Sequence, residues 1–152
     1  MPKAIVIYES VFGNTKRVAE TIIEGMKAAG AEADLSTPKD FDLNQLTDFD
    51  AIIIGSPNHM GGATRGIKKF IDKLGKLKLD EKLVTVFDTY GGRDYEKAVK
   101  KMEKQIADKA PGLKLTSPGL SIRVDGVRGP LSEGELPKCK EFGVIIANQL
   151  KG

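Results

Sequence analysis

Short runs of β-branched and other apolar residues alternate with amphipathic helical patterns along this chain. The clearest run, Ala51–Ile54, is apolar at every position and ends at Gly55, which is typical of a strand buried on both faces. Strands that alternate with helices usually form a parallel sheet with helices on both of its faces. The sequence therefore predicts an α/β fold built on a doubly wound, five-stranded parallel sheet.

The boundaries of these elements follow from the apolar spacing and from glycine or proline breaks. The predicted strands are Lys3–Tyr8, Glu32–Leu35, Ala51–Ile54, Leu83–Phe87 and Leu113–Val124, the last interrupted by Pro118-Gly119. The predicted helices are Thr15–Ala29, Ile67–Leu74, Tyr95–Lys109 and Leu136–Leu150. No repeat or linker divides the chain, and 152 residues suit one domain with a buried core. We expect residues 1–152 to form a single domain.

Composition excludes several classes of site. Cys139 and His59 are the only cysteine and the only histidine, which excludes a disulfide framework and a metal site built from several thiolates or imidazoles. Cys139 is expected to be an inert helix residue. The net charge is +3 with both signs interspersed, so we expect no nucleic-acid partner. Because no apolar run could span a bilayer and Met1–Tyr8 does not resemble a signal peptide, we expect a cytoplasmic protein without membrane insertion.

The loop after Tyr8 is the first candidate binding site, because ligands of open parallel sheets bind beyond the carboxyl ends of the strands. It leads into a helix whose free N–H groups and dipole favour an anion. The candidate residues are Ser10, Val11, Phe12, Gly13, Asn14 and Thr15. The loop lacks both the G-x-x-x-x-G-K-[ST] and the G-x-G-x-x-G patterns, which favours a terminal monophosphate. The alternative is a simple helix cap, with Asn14 as the capping residue.

The same loop carries a resemblance to a known family. The strand end, the loop and the helix match the flavodoxin motif at Val6, Ile7, Tyr8, Ser10, Gly13, Thr15, Ala19 and Ile22. The resemblance implies a flavodoxin-like fold with strand order 2-1-3-4-5 and one bound FMN whose phosphate lies on this loop. The family more often has Thr where this chain has Phe12, which removes one hydroxyl from the expected phosphate site.

The loop after Ile54 supplies candidate contacts to a flat ring, namely Pro57, Asn58, His59, Met60 and Gly61. It resembles the corresponding loop of flavodoxins and of the flavodoxin-like domain of flavodiiron proteins. That resemblance implies that the peptide at Gly61 reorients to accept a hydrogen bond from flavin N5 after one-electron reduction. His59 beside the ring would make the reduction potential depend on pH, whereas an exposed His59 would touch nothing.

The loop after Phe87 supplies the opposite wall, with Thr89, Tyr90, Gly91, Gly92 and Tyr95 as candidates. Free N–H groups at the two glycines suit a pyrimidine-like edge, and a tyrosine could stack on the ring. Thr89-Tyr90-Gly91 resembles the Ser-Tyr-Gly of the flavodiiron branch, which favours Tyr90 over Tyr95 as the stacking residue. Arg93 would favour the anionic reduced flavin if it pointed inward, and would have no such effect in solvent.

Two basic segments lie near these loops. Ile122–Pro130 ends the last strand and continues beyond it at the same end of the sheet, where its two arginines could line a partner or substrate surface or belong to a solvated loop. Arg65, Lys68 and Lys69 begin the helix after the second loop. They form either a solvated helix face or a docking surface for an acidic partner such as a ferredoxin.

The absence of a plausible acid–base pair favours a non-enzymatic electron-transfer protein over an enzyme. Such a protein would move low-potential electrons between redox partner proteins, as a monomer or weak dimer, with no catalytic residues. The alternative is an FMN-dependent NAD(P)H:quinone or flavin reductase of the same superfamily. A phosphorylation receiver is disfavoured, because Glu9 is a single acid and Gly55 takes the place of a phosphoacceptor Asp.

Overall fold

Parallel strands form the centre of the computed structural model, which describes residues 1–152. The strands are β1 (Lys3–Tyr8), β2 (Glu32–Ser36), β3 (Ala51–Pro57), β4 (Leu83–Tyr90), β5 (Lys114–Leu115) and β6 (Leu120–Arg123). Their order is β2-β1-β3-β4-β5, and β6 pairs with β4 beyond the end of β5. The short strands β5 and β6 therefore share the fifth position of the sheet. The predicted order 2-1-3-4-5 is confirmed, as is the interruption at Pro118-Gly119.

Four helices connect these strands: α1 (Asn14–Ala28), α2 (Arg65–Leu74), α3 (Lys97–Lys109) and α4 (Leu136–Lys151). A 3-10 turn at Leu43–Asp48 was not predicted. The predicted start of the third helix at Tyr95 is wrong, because Glu96 has a left-handed φ of 60° that a helix cannot accommodate. None of the helices has the length and apolar character needed to cross a bilayer.

The sheet separates two hydrophobic cores because side chains alternate along each strand. One core is a cluster of 20 buried residues that α2 and α3 cover, and Ile5, Ile52 and Val84 face it from the sheet. Val6 and Ile53 face the other core, a cluster of 16 residues that α1 and α4 cover. Both faces of the central strands are therefore apolar, which explains why the uninterrupted apolar run of β3 predicted its position correctly.

Helices α1 and α4 approach each other closely through two glycines. A Cβ atom at Gly25 would collide with the carbonyl oxygen of Lys140, and one at Gly143 would collide with the carbonyl oxygen of Ile22. Because each glycine faces the backbone of the other helix, the pair sets the separation of the two helices. Cys139 is fully buried at this contact, and burial raises the pKa of its thiol to about 12, as expected of an inert thiol.

Candidate functional site

The loop between β1 and α1 presents an array of unused backbone donors. Gly13 precedes the helix with a φ of 91°, a left-handed conformation that glycine adopts without strain. The Ser10 hydroxyl accepts the N–H groups of Gly13 and Lys16, at 3.1 and 3.4 Å. Four other N–H groups make no hydrogen bond within the protein; these cradle donors belong to Val11, Phe12, Asn14 and Thr15. Together with the helix dipole they form an anion site.

The alternative interpretation of this loop as an Asn14 cap is wrong. Asn14 is the first residue of α1, its side chain makes no capping hydrogen bond, and it packs against Gly129 instead. Ser10 satisfies two donors of the first turn, so the side chain of Asn14 is not needed as a cap. The loop therefore keeps donors for a ligand while Ser10 holds its conformation.

Buried hydroxyls connect the first loop to β4, which lies two strands away from β1 in the sheet. Thr15 and Thr89 are both buried, and their Oγ1 atoms lie 3.0 Å apart. Asn58, at the end of β3, donates through both its backbone N–H and its side chain to the carbonyl oxygen of Thr89. Its Oδ1 accepts the N–H of Ala98 at the start of α3, at 3.0 Å. Asn58 therefore lies at the predicted site, with a side chain that joins three elements.

The segment His59–Gly62 forms a tight hairpin beside this framework. His59 and Gly62 exchange backbone hydrogen bonds of 2.7 and 3.2 Å. Met60 and Gly61, at the tip, have φ values of 54° and 76°, which define a type I′ turn. Met60 is 97% exposed, and no protein group covers it.

The loop after β4 provides a second set of free donors. The N–H groups of Gly91 and Gly92, here called the ring donors, make no hydrogen bond within the protein. Tyr90 is half-buried, whereas Tyr95 is exposed and contacts it edge-on at a ring-centroid distance of 5.3 Å. Burial raises the pKa of Tyr90, and the negative charge of Glu135 adds to the effect. Arg93 is exposed and does not line the cavity.

The residues of the cradle donors and of the ring donors line one cavity of about 400 Å³. Eleven of the sixteen predicted site residues line it, and the other five are Gly13, His59, Met60, Gly61 and Tyr95. Gly13 shapes the cradle from behind, and Tyr95 supports Tyr90. His59 and Met60 line a neighbouring hollow of about 780 Å³ that shares Ser10 and Val11 with the cavity. A volume of 400 Å³ lies in the range of small-molecule and cofactor sites.

The fourth wall of the cavity comes from the segment at the end of the last strand, whose arginines were predicted either to line a partner or substrate surface or to be solvated. Arg123, the last residue of β6, and residues 124–127 after it line this wall, and Asp94 also contributes. The N–H of Val124 donates to the carbonyl oxygen of Tyr90 at 2.8 Å, which fixes this loop beside the third one. Arg123, not Arg93, is the arginine on the cavity wall. The rule that placed ligands beyond strand ends applies equally to the last strand, but only the loops after the first, third and fourth predicted strands were assigned to the cofactor site.

One buried carboxylate supports the site from below. Asp88 is completely buried and accepts hydrogen bonds from the Val99 N–H and the Ser121 hydroxyl. Burial raises the pKa of Asp88 from 3.8 to about 6, against the lowering effect of these donors. The Ser121 hydroxyl in turn accepts the N–H of Glu96. Glu96 provides no side-chain cap for α3. The N–H groups at the start of the helix are instead bonded by the side chains of Asn58, Asp88 and Ser121, which lie in or next to β3, β4 and β6.

The profile of the Flavodoxin domain family matches residues 5–121. The chain belongs to the flavodoxin family. A flavodoxin from the domain Archaea superposes with a TM-score of 0.85 and 28% identity, over 99% of both chains. A flavodiiron core from Synechocystis sp. PCC6803 superposes with a TM-score of 0.79 over 99% of this chain and 36% of that one. At 21% identity that likeness shows a shared fold.

Two curated relatives carry different names. The flavodoxin of Aquifex aeolicus is 34% identical over 96 residues, which cover 60% of this chain and 52% of that protein. An NAD(P)H dehydrogenase (quinone) of Gluconacetobacter diazotrophicus is 33% identical over 104 residues, covering 55% of this chain and 52% of the relative. The chain thus spans about half the length of the curated relatives it matches.

Membership of the flavodoxin family implies FMN as the cofactor, and the residues of this chain fit it. FMN has a dianionic phosphate at one end and a flat, hydrogen-bonding ring at the other. The cavity is lined by the residues of the cradle donors and, beside Tyr90, by those of the ring donors. The N–H of the buried Thr15 is a donor that only a ligand or water could satisfy. The cradle donors and the ring donors therefore suit one ligand that contains both a phosphate and a heterocycle.

Proposed function

We propose that this chain is a single FMN-binding domain that carries low-potential electrons between redox proteins. The observation that carries the proposal is the pairing of the cradle donors with the ring donors across one cavity. The cradle donors would hold the phosphate, and the ring donors would hold the polar edge of the isoalloxazine beside Tyr90. When bound, FMN supplies reversible one-electron chemistry, while the four loops exclude water from it and orient it.

The side chains around the cavity favour a carrier over an enzyme. The charged residues that line the cavity are Arg123, Asp94 and Asp125, and Asp125 accepts a hydrogen bond of 2.7 Å from the Ser132 hydroxyl. The buried Asp88 holds the start of α3 and does not line the cavity. No pair of groups in the cavity is arranged for proton transfer to a substrate. A carrier needs no such pair, because it only binds its cofactor and tunes it.

A reductase is the second candidate, because curated relatives include enzymes named NAD(P)H dehydrogenase (quinone). The hollow next to the cavity is an additional surface at which a second ligand could lie. The redox partners, a cytoplasmic location and a monomeric or weakly dimeric state belong to the same proposal as expected properties of a carrier.

Stepwise anaerobic reduction of the FMN-loaded protein tests the proposal. We expect stoichiometric binding of FMN and two separate one-electron steps, seen as a long-wavelength absorbance band that rises and then falls. Rapid reduction by NAD(P)H with turnover of a quinone would favour the reductase. A protein that fails to bind added FMN would contradict both functions.

A further inference from the structure

Cations from two helices surround the hairpin next to the cofactor cavity. We call Arg65, Lys68, Lys97 and Lys101 the basic cluster. The Nζ atoms of Lys68 and Lys101 lie 3.8 and 3.9 Å from the position that a Cβ of Gly62 would occupy. The Cδ atom of Lys97 lies 3.7 Å from the corresponding point at Gly61. These side chains therefore converge over one short hairpin.

Little negative charge within the protein balances this cluster. Of its four members only Lys97 has an acidic partner, Asp94, at 3.2 Å. Glu9 lines the same hollow, but its carboxylate lies against Gly66 and accepts the hydroxyl of Thr64. Arg65, Lys68 and Lys101 are left without an ion pair. Converging unpaired cations repel one another, so an external anion would stabilise their arrangement.

The charge extends beyond the cluster along both helices. α2 contains four cations and one acid, and α3 contains five cations and two acids. The two helices thus carry a net charge of +6, while the whole chain carries +3. This layer of the molecule would attract a negatively charged partner at long range.

Exposed apolar side chains lie at the same edge of the sheet. Of the eight large apolar side chains that the fold leaves exposed, five lie on the loops at the cavity, namely Val11, Phe12, Met60, Tyr95 and Val127. Apolar contacts flanked by charge are typical of a surface that docks another protein, whereas a small anion needs only the charges. Met60, at the exposed tip of the hairpin, lines the same hollow as Arg65, Lys68 and Lys101.

We infer that the basic cluster and these apolar side chains form the docking surface for an acidic redox protein. The inference rests on the proposed function and names the partner by its charge. In the encounter, the reduced metal centre of the partner loses one electron and the FMN-loaded domain gains it. No covalent bond forms between the proteins. The hairpin lies next to the cavity, because the hollow that it lines shares Ser10 and Val11 with the cavity.

The test uses the FMN-loaded protein, an acidic plant-type [2Fe–2S] ferredoxin as probe, and basic cytochrome c as the opposite probe. The double variant Lys68→Glu/Lys101→Glu removes the convergence without touching a side-chain hydrogen bond. The matched control, Lys27→Glu/Lys140→Glu, makes the same charge change on exposed positions of α1 and α4. Dissociation constants are measured by calorimetry at several salt concentrations, and single-electron transfer is followed by stopped flow.

We expect the cluster variant to weaken ferredoxin binding by about tenfold at low salt and the control by about twofold, because short-range charges at an interface exceed the net-charge effect. Equal losses in the two variants, tighter binding of cytochrome c than of ferredoxin, or binding of neither probe would overturn the inference. A cluster variant that changes only the KM for NADPH would also overturn the inference, because the surface would then bind a dinucleotide and not a protein. Because each variant is first shown to bind FMN, failure of the proposed function would be recognised separately.

Discussion

We expect recognition of the ring to depend most directly on Tyr90. It lines the cavity and is half-buried, whereas Tyr95 lies behind it and is 58% exposed. We expect Tyr90→Leu to weaken FMN binding on the order of tenfold through lost aromatic stacking. Tyr95→Leu is the matched control and should change the affinity by less than about threefold. Quenching of FMN fluorescence measures both, and a larger effect in Tyr95→Leu would identify Tyr95 as the stacking residue.

Asp88 makes the stability of the fold depend on pH. Its pKa is about 6 in the folded protein and 3.8 otherwise, so between these values the folded state binds more protons than the unfolded chain. The contribution of Asp88 to stability is therefore greatest below pH 4, declines as the pH rises to about 6, and is constant above it. The decline is on the order of 2–3 kcal/mol.

The variant Asp88→Asn tests this dependence, because an amide cannot ionise. Its free energy of unfolding in urea should change less between pH 4 and pH 6 than that of the unmodified protein. Asp40→Asn, which alters an exposed carboxylate without a side-chain hydrogen bond, should retain the original pH profile. Identical profiles for Asp88→Asn and the unmodified protein would contradict the assignment.

At the scale of elements, the crossing of α1 and α4 depends on two small residues. Gly143→Ala should destabilise the protein by about 1–3 kcal/mol, because its Cβ would strike the carbonyl oxygen of Ile22 in α1. This loss opposes the gain of about 1 kcal/mol that alanine normally brings to a helix. Asn148→Ala, on the exposed face of α4, is the control and should be neutral or stabilising. Urea denaturation distinguishes the two, and a stabilised Gly143→Ala would refute the close contact.

The sequence predicted the elements whose signal is local. β3 and β4 are apolar because helices cover both faces, and the glycine-bearing loop before α1 is recognisable from its own residues. The start of α3 was misplaced because its caps come from Asn58, Asp88 and Ser121, which are remote in sequence. Residues 123–127 were placed at the correct end of the sheet but not assigned to the cofactor site, because their approach to the cavity depends on pairing with β4.

At the scale of the whole molecule, the two faces of the sheet perform different tasks. The α1–α4 layer fixes the cradle, because the loop after β1 leads into α1, which packs on α4 through the two glycines. The α2–α3 layer carries the larger positive charge and the hairpin at Met60. The cofactor cavity lies where the loops of both layers meet at the carboxyl ends of the strands. A ligand there would connect parts of the chain that otherwise touch mainly through the sheet.

Hydrogen exchange of individual amides can separate the two ends of this cavity. In the protein without ligand, the cradle donors and the ring donors lack hydrogen-bond acceptors and should exchange faster than the N–H of Gly13, which is bonded to Ser10. FMN should protect both sets. Inorganic phosphate should protect the cradle donors alone, because it satisfies only the anion site. NMR exchange measurements resolve these amides. Protection of the ring donors by phosphate, or of neither set by FMN, would show that the cradle donors do not bind the phosphate while the ring donors bind the isoalloxazine.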